Sequence, residues 1–388
     1  MILRQACPVC GGNHLKKIFE RDFSGMKNLV PFVRYDVAKC EDCGMFFAAN
    51  IEQERSLDEY YAQMSRYDND DYILSEGTRE LYGVWASLIA KYSSPTAKVV
   101  DIGCAFGGGL GELKIRGYNN LFGVEPSEKN RSYGERTYGI SMCPGYLGGG
   151  SGLGGLNGQK FDVVILSCVL EHILDLREAI KECSEILNEN GLLMIVVPNI
   201  ESYHSHSDLY QEFSIEHINY FDCQSLSVLM QGMGYQFVDS QVHERNLMGL
   251  CWNICTLWRK GSTQDKQTNY HSADYELAQY LEDCERLTNS VNEKAVFLPS
   301  DNLYLWGCGT ITAMLFQLRV LGEGQICGIF DSNQNYWGLE AYGTEIMPPD
   351  KLRTLPEYPV VIASQYAGDA IEETIRKLGA QNKVIRLF

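Results

Sequence analysis

Val99-Val100-Asp101-Ile102-Gly103-Cys104-Ala105-Phe106-Gly107-Gly108-Gly109 decides the fold. Two β-branched residues and Ile102 make a short apolar strand, and the glycines that follow predict a tight turn into a helix. Glycine has no Cβ, so such a turn lets the backbone approach a bound molecule closely. A glycine-rich turn alone is shared by many nucleotide-binding sheets. Here the third glycine misses the dinucleotide spacing, which argues against NAD.

Downstream of the turn, strands and helices alternate. Strands are expected at 98–103, 121–125, 161–168, 192–198, 235–241 and 250–258, with helices around 110–116, 177–187 and 225–233. That alternation predicts a mainly parallel sheet covered by helices on both faces. The second strand ends in Gly123-Val124-Glu125-Pro126, where a carboxylate can accept both hydroxyls of a ribose. Between 145 and 158 lie eight glycines and no helix signal, so this stretch reads as a loop.

The ordered set VVDIGCAFGGG, LFGVEPS, FDVVILSCVLEHI and NGLLMIVVPN resembles class I S-adenosylmethionine-dependent methyltransferases. The resemblance implies a Rossmann-like α/β sheet and S-adenosylmethionine as cofactor. Asp101, Gly103, Cys104, Ala105, Phe106 and Gly107 would surround its methionine part. Glu125, followed by Pro126, would hold the ribose. Tyr146 and Leu147 would lie near the adenine, with Ser167 and Cys168 beneath the sulfonium. Ala105 departs from the glycine the family often has there.

Methyl transfer asks the protein to align the reactants and to remove a proton from the acceptor. The stretch 200–224 follows the strand at 192–198 on the ligand-binding edge and carries His204, His206 and His217. Within Phe213-Ser214-Ile215-Glu216-His217, a histidine able to take a proton stands beside a carboxylate. His172 sits near the same edge, as an acceptor contact or simply a helix cap. His204 and His206 read as solvated loop residues.

Further out, Cys7-Pro-Val-Cys10 and Cys40-Glu-Asp-Cys43 are each followed by glycine. Two such knuckles predict a closed four-sulfur zinc site, structural because no position is left for substrate. A redox pair of dithiols is the alternative. The other ten cysteines read as reduced, buried thiols.

At the far end, Leu303 to Thr310 gives another strand and glycine turn, and Asp331 ends a second strand. This predicts a small Rossmann-like unit, either nucleotide-binding or a packing domain. The regions are therefore a zinc module (1–50), a helical, Tyr-rich connector (51–94), a methyltransferase domain (95–262) and a C-terminal Rossmann-like domain (263–388).

The whole layout resembles the zinc-containing sugar C-methyltransferases of deoxysugar biosynthesis. That resemblance implies a nucleotide-linked 4-keto-6-deoxysugar as partner, bound through its nucleotide by the C-terminal unit. His217 would be the base, Glu216 its partner and His172 a contact to the sugar, with Tyr67 and Tyr72 as candidate lid residues. Ser214 replaces the family's tyrosine, which keeps O-methylation of a sugar hydroxyl open. A non-enzymatic cofactor- or nucleotide-binding module is a second class, and a nicotinamide-dependent oxidoreductase using the C-terminal unit a third.

Composition fits. The 388 residues are 45% hydrophobic and carry a net charge of −17, which disfavours a nucleic-acid partner. No stretch approaches the ~20 apolar residues of a membrane span. The expected setting is cytoplasmic.

Overall fold

The computed structural model describes residues 2–57, 59–60, 74–148, 152–156, 158–244, 252–261 and 273–388. Tyr67 and Tyr72 lie outside them, as do parts of the glycine-rich stretch and Leu250 and Cys251.

The chain opens with an antiparallel sheet: β1 (Ile2–Leu3), β2 (Leu15–Asp22), β3 (Phe32–Cys40) and β4 (Phe46–Gln53), in the order β1-β4-β3-β2. Phe32, Tyr35 and Val37 of β3 bury fully in one core. Ala38 and Cys40, from the other face, join a second. The second cysteine pair caps the β3–β4 hairpin.

Helix α1 (Glu76–Tyr92) begins where the Ser75 side chain accepts the Thr78 N–H. Its Trp85 and Ile89 pack on Val99, Val163 and Met194, so α1 covers one face of the central sheet.

That sheet is built from β5 (Lys98–Ile102), β6 (Asn120–Val124), β7 (Ser141–Cys143), β8 (Phe161–Ser167), β9 (Leu187–Pro198), β11 (Tyr235–His243) and β12 (Asn253–Lys260). A two-residue strand, β10 (Asn219–Tyr220), stands apart from it. The order is β11-β12-β9-β8-β5-β6-β7. Helices α2 (Gly108–Ile115), α3 (Glu128–Tyr138), α4 (Leu176–Ile186) and α5 (Cys223–Gly232) connect the strands. Strand β8 and the 192–197 part of β9 are nearly continuous apolar runs because both faces are covered. Strand β9 starts at Leu187 instead of 192, since Leu187 already pairs with Phe161.

From β5 the chain winds outward through β6 and β7, then returns to β8 on β5's other side. The turns after β5 and β8 therefore flank the point where strand order reverses, the place where open α/β sheets bind ligands.

The C-terminal part starts with α6 (Asp274–Ala295). A second sheet follows, parallel except for its edge strand β15, with β13 (Leu303–Trp306), α7 (Thr310–Gln317), β14 (Ile326–Phe330), β15 (Glu340–Ala341), β16 (Thr344–Met347), β17 (Val360–Ile362), α8 (Gly368–Lys377) and β18 (Val384–Arg386). Its order, β15-β16-β14-β13-β17-β18, again reverses beside the first strand.

One hydrophobic core unites distant parts of the chain. It contains Tyr35 and Val37 of the first sheet, Tyr203 and Phe213 of the 200–220 segment, Tyr280 of α6, and Leu303 and Met314 of the C-terminal unit. Strand β10 pairs with β4, Asn219 opposite Phe47 and Tyr220 opposite Phe46. The segment after β9 is thus gripped from both ends of the chain. Among the described residues, no helix is long and apolar enough to cross a membrane.

Candidate active site

Gly103 leaves β5 with φ +74°, and a Cβ there would stand 2.8 Å from Val169 Cγ2, so the position requires glycine. Ala105 also lies in the left-handed region, at φ +46°. This costs an L-residue roughly 1 kcal/mol. The conformation is held because the Ala105 N–H donates to Glu125 Oε2 at 3.1 Å. Glu125 Oε1 accepts from the Ser127 N–H at 3.0 Å and the Asn130 amide at 3.2 Å. Burial raises the Glu125 pKa, and these three donors pull it partway back. The carboxylate that sequence assigns to a ribose is therefore aimed at the glycine turn and fixed there.

Asp101 is buried in β5, with Oδ1 unpartnered among the described residues. Burial first, and Glu125 second, push its pKa well above the carboxylate range. Cys104 and Phe106 turn inward: Cys104 Sγ lies 3.6 Å from the Val124 carbonyl, and the Phe106 ring meets Tyr133 edge-on at 5.4 Å. Their side chains are packing groups, so any contact with a ligand falls to their backbone. Gly107 opens α2 at φ +75°. Pro126 and Tyr146 are half-buried, while Leu147 is buried with Leu156. Ser167 and Cys168 end β8 half-exposed, with Cys168 at φ +57° and its N–H bonded to the Val196 carbonyl. The residues present fit S-adenosylmethionine: a fixed acid beside a glycine turn and an orphaned buried carboxyl beneath it.

Across the same edge, the turn Leu170–His172 meets the segment 214–220. Asn219 Nδ2 donates to the carbonyls of Leu170 (2.7 Å) and Ile173 (2.8 Å), and the Ile218 N–H donates to Glu171 O. Arg4 reaches from the N-terminus to the carbonyls of Ile173, Leu174 and Ile218. These bonds bring His172 and His217 together, ring centroids 4.8 Å apart and edge to face. Ser214, where the resembled family has tyrosine, accepts the N–H of His217 at 3.1 Å and of Glu216 at 3.3 Å and so shapes the turn.

Two expected partnerships look different in detail. The Glu216 carboxylate accepts the Tyr60 hydroxyl at 2.7 Å, and its backbone carbonyl faces His172 Nδ1 at 3.2 Å. Tyr336 of the C-terminal unit bonds Tyr60 and feels the Glu216 charge. The carboxyl within ligand distance of both histidines is instead Glu171, their ligand atoms all lying within 4.8 Å. Glu171 adjoined His172 in the sequence but carried no separate signal. Tyr60 and Tyr336 have none, because only tertiary folding unites them.

His204 is exposed, as expected. His206 is not: its Nε2 stands 3.0 Å from Glu212 and 3.1 Å from Asp208, both buried. Burial alone would lower this histidine's pKa. The hydrogen bonds to Asp208 and Glu212 outweigh that and raise it to about 9. The solvated reading fails because the spacing His206, Asp208, Glu212 folds back on itself beside Tyr280, whose hydroxyl donates to Asp208 at 2.6 Å.

The C-terminal unit repeats the logic of the central one. Asp331 Oδ2 accepts the Cys308 N–H at 2.7 Å, as Glu125 accepts that of Ala105.

Cys7, Cys10, Cys40 and Cys43 place their sulfurs within 4.8 Å of one another, with Cys7–Cys43 and Cys10–Cys40 at 3.6 Å. Thiolates about 2.3 Å from a tetrahedral ion stand about 3.8 Å apart. Gly11 (φ +78°) and Gly44 (φ +84°) turn the two knuckles, and the Gly12 N–H points at Cys10 Sγ. Four soft donors with N–H···S support fit a structural zinc ion.

Residues 78–240 match a family described as "Methyltransferase domain". Solved structures similar to this chain include an S-adenosylmethionine dependent methyltransferase from Mesorhizobium loti (13% identity, 46% of this chain and 98% of that one, TM-score 0.37). Another is magnesium protoporphyrin IX methyltransferase from Synechocystis PCC 6803 with bound SAH (14%, 53% and 98%, TM-score 0.41). A third is a possible histamine N-methyltransferase from Thermotoga maritima (20%, 47% and 90%, TM-score 0.36). No curated protein matches the chain.

Proposed function

We infer that this chain, an S-adenosylmethionine-dependent methyltransferase, acts on a small polar acceptor, a nucleotide-linked ketosugar, at the carbon next to the ketone. The observation carrying this reading is the histidine pair: His172 and His217, from different segments, lie 4.8 Å apart on the sheet edge that also bears Gly103 and Ser167.

S-adenosylmethionine, when bound, supplies an electrophilic methyl group. Glu125 holds the ribose, and Asp101 with the turn Gly103–Gly107 supports the methionine end. Pro126, Tyr146 and Leu147 border the adenine, while Ser167 and Cys168 form the floor. His217 takes the proton from the acceptor, and a positioned side-chain base contributes a factor of ~10²–10⁴. His172, half-buried beside it, contacts the acceptor oxygen. Glu216, held by Tyr60, reaches toward the C-terminal unit through Tyr336. That route supports a role for the Asp331 turn in holding the acceptor's nucleotide. Zinc on Cys7, Cys10, Cys40 and Cys43 locks the hairpin that carries β4, and β4 pairs with β10 just beyond His217.

The test is a mass-spectrometric screen of nucleotide-linked ketosugars with S-adenosylmethionine. The expected product gains one methyl group, and solvent deuterium washes into the position beside the ketone when the methyl donor is withheld. Methylation only at hydroxyls, without deuterium wash-in, overturns carbon methylation. No turnover of any nucleotide-sugar overturns the acceptor class.

A further inference from the structure

Glu171 is 1% exposed, and its Oε2 has no hydrogen-bond partner among the described residues. An ionised carboxylate in that position would cost several kcal/mol, so the group is held as the neutral acid unless a cation faces it. Among the described residues, the basic group within ion-pair range is His172, whose Nε2 lies 3.9 Å from Glu171 Oε1. His172 Nδ1 faces the Glu216 carbonyl, which can only accept, so Nδ1 carries the hydrogen and Nε2 of the neutral ring carries the lone pair. From the segment packed against the turn come His217 and Glu216. From the N-terminus comes Arg4, whose hydrogen bonds go to the carbonyls of Ile173, Leu174 and Ile218.

We propose that Glu171 is a positioning residue acting through His172: its carboxylic acid transfers a proton to His172 Nε2, making His172 the acid of the histidine pair while His217 remains the base. This deepens, and rests on, the proposed roles of the two histidines. The separation must close by about 1 Å for a direct hydrogen bond. The Glu171 O–H bond breaks, the His172 Nε2–H bond forms, and a carboxylate–imidazolium pair replaces two neutral groups. The imidazolium faces the negative charge that grows on the acceptor's oxygen as His217 removes the carbon-bound proton. When the ketone is restored by methylation, the proton returns to Glu171. His172 thus takes the acid's duty from the buried carboxyl that stands nearest its Nε2. In support, burial pushes the Glu171 carboxyl up to about 8.

The experiment uses full-length, zinc-loaded protein without acceptor, labelled with ¹³C at the glutamate carboxyls and ¹⁵N in the histidine rings, and titrated by NMR. One glutamate carboxyl is expected to titrate near 8 and to vanish from the spectrum of Glu171→Gln. The His172 titration should then change by roughly tenfold in proton affinity, because its coupled partner is gone. Glu171→Asp keeps an acid on the turn and should retain a high-titrating carboxyl, which keeps the test sharp if the glutamine variant folds poorly. Wild-type protein with no carboxyl titrating above the ordinary range overturns the proposal. So does a His172 curve unchanged by Glu171→Gln. Failure of the base assignment would be seen separately, as methylation retained by His217→Gln with the Glu171–His172 coupling intact.

Discussion

Replacing His206 by alanine tests how far the buried triad with Asp208 and Glu212 stabilises the fold. The imidazole holds its proton to about 9 instead of the ordinary 6.5. At a factor of ten per pH unit, that corresponds to at most about 3 kcal/mol. The ring is 12% exposed, and solvent screening trims the figure to roughly 2 kcal/mol. The sign follows from the raised pKa. Stabilisation is fully present below about 6.5, where the ring is charged in folded and unfolded chains alike, and fades as pH rises through about 9. Alanine also leaves two buried carboxylates near one another without their cation, which adds to the loss. Urea unfolding followed across pH, in wild type and His206→Ala, measures this directly. The wild-type advantage should be about 2 kcal/mol or more near pH 6 and shrink toward pH 9–10. An advantage below ~0.5 kcal/mol, typical of a surface substitution, or one that grows with pH, refutes the ion-pair account.

Three further outcomes are expected. Glu125→Ala should weaken S-adenosylhomocysteine binding on the order of 10- to 100-fold by calorimetry, the loss of one or two charge-assisted hydrogen bonds, and should also lower stability, because the donors at Ala105, Ser127 and Asn130 lose their acceptor; unaltered affinity removes the ribose assignment. His217→Gln should cut turnover of an acceptor found in the nucleotide-sugar screen by roughly 10²-fold or more while leaving S-adenosylhomocysteine affinity intact; retained turnover removes it as base. Cys7→Ser should lower bound zinc, measured by atomic emission, and loosen hydrogen-exchange protection in β3, β4 and β10 together; full zinc content counts against the four-thiolate site.

The central sheet was legible because its strands are buried on both faces. Val99–Ile102, Val163–Leu166 and Leu192–Val197 read as apolar runs whatever packs on them. The glycine turn and Glu125 were legible because backbone conformation forces residue type there. The antiparallel N-terminal sheet was not. Its strands mix charged and apolar residues, as in Arg34-Tyr35-Asp36-Val37, and the cysteine pairs drew attention to a metal instead of to β-pairing. A two-residue strand such as β10 leaves no periodic signal at all. His206 was misread because sequence shows its polar neighbours but not that Asp208 and Glu212 are sealed under Tyr280. The Tyr60–Glu216–Tyr336 contact joins three parts of the chain that sequence treats as separate regions.

The pairing of β10 with β4 bears on how this catalyst can be cut and reused. A fragment trimmed to residues 78–240, the family match, keeps the glycine turn and Glu125 but discards the strand that receives Asn219 and Tyr220. It also discards Arg4, which ties the loop bearing His172 to the one bearing His217. Any chimera that transplants this domain onto another scaffold must therefore carry residues 2–53 along. In this protein the amino-terminal cysteine hairpin braces the segment that carries His217 and is not detachable luggage.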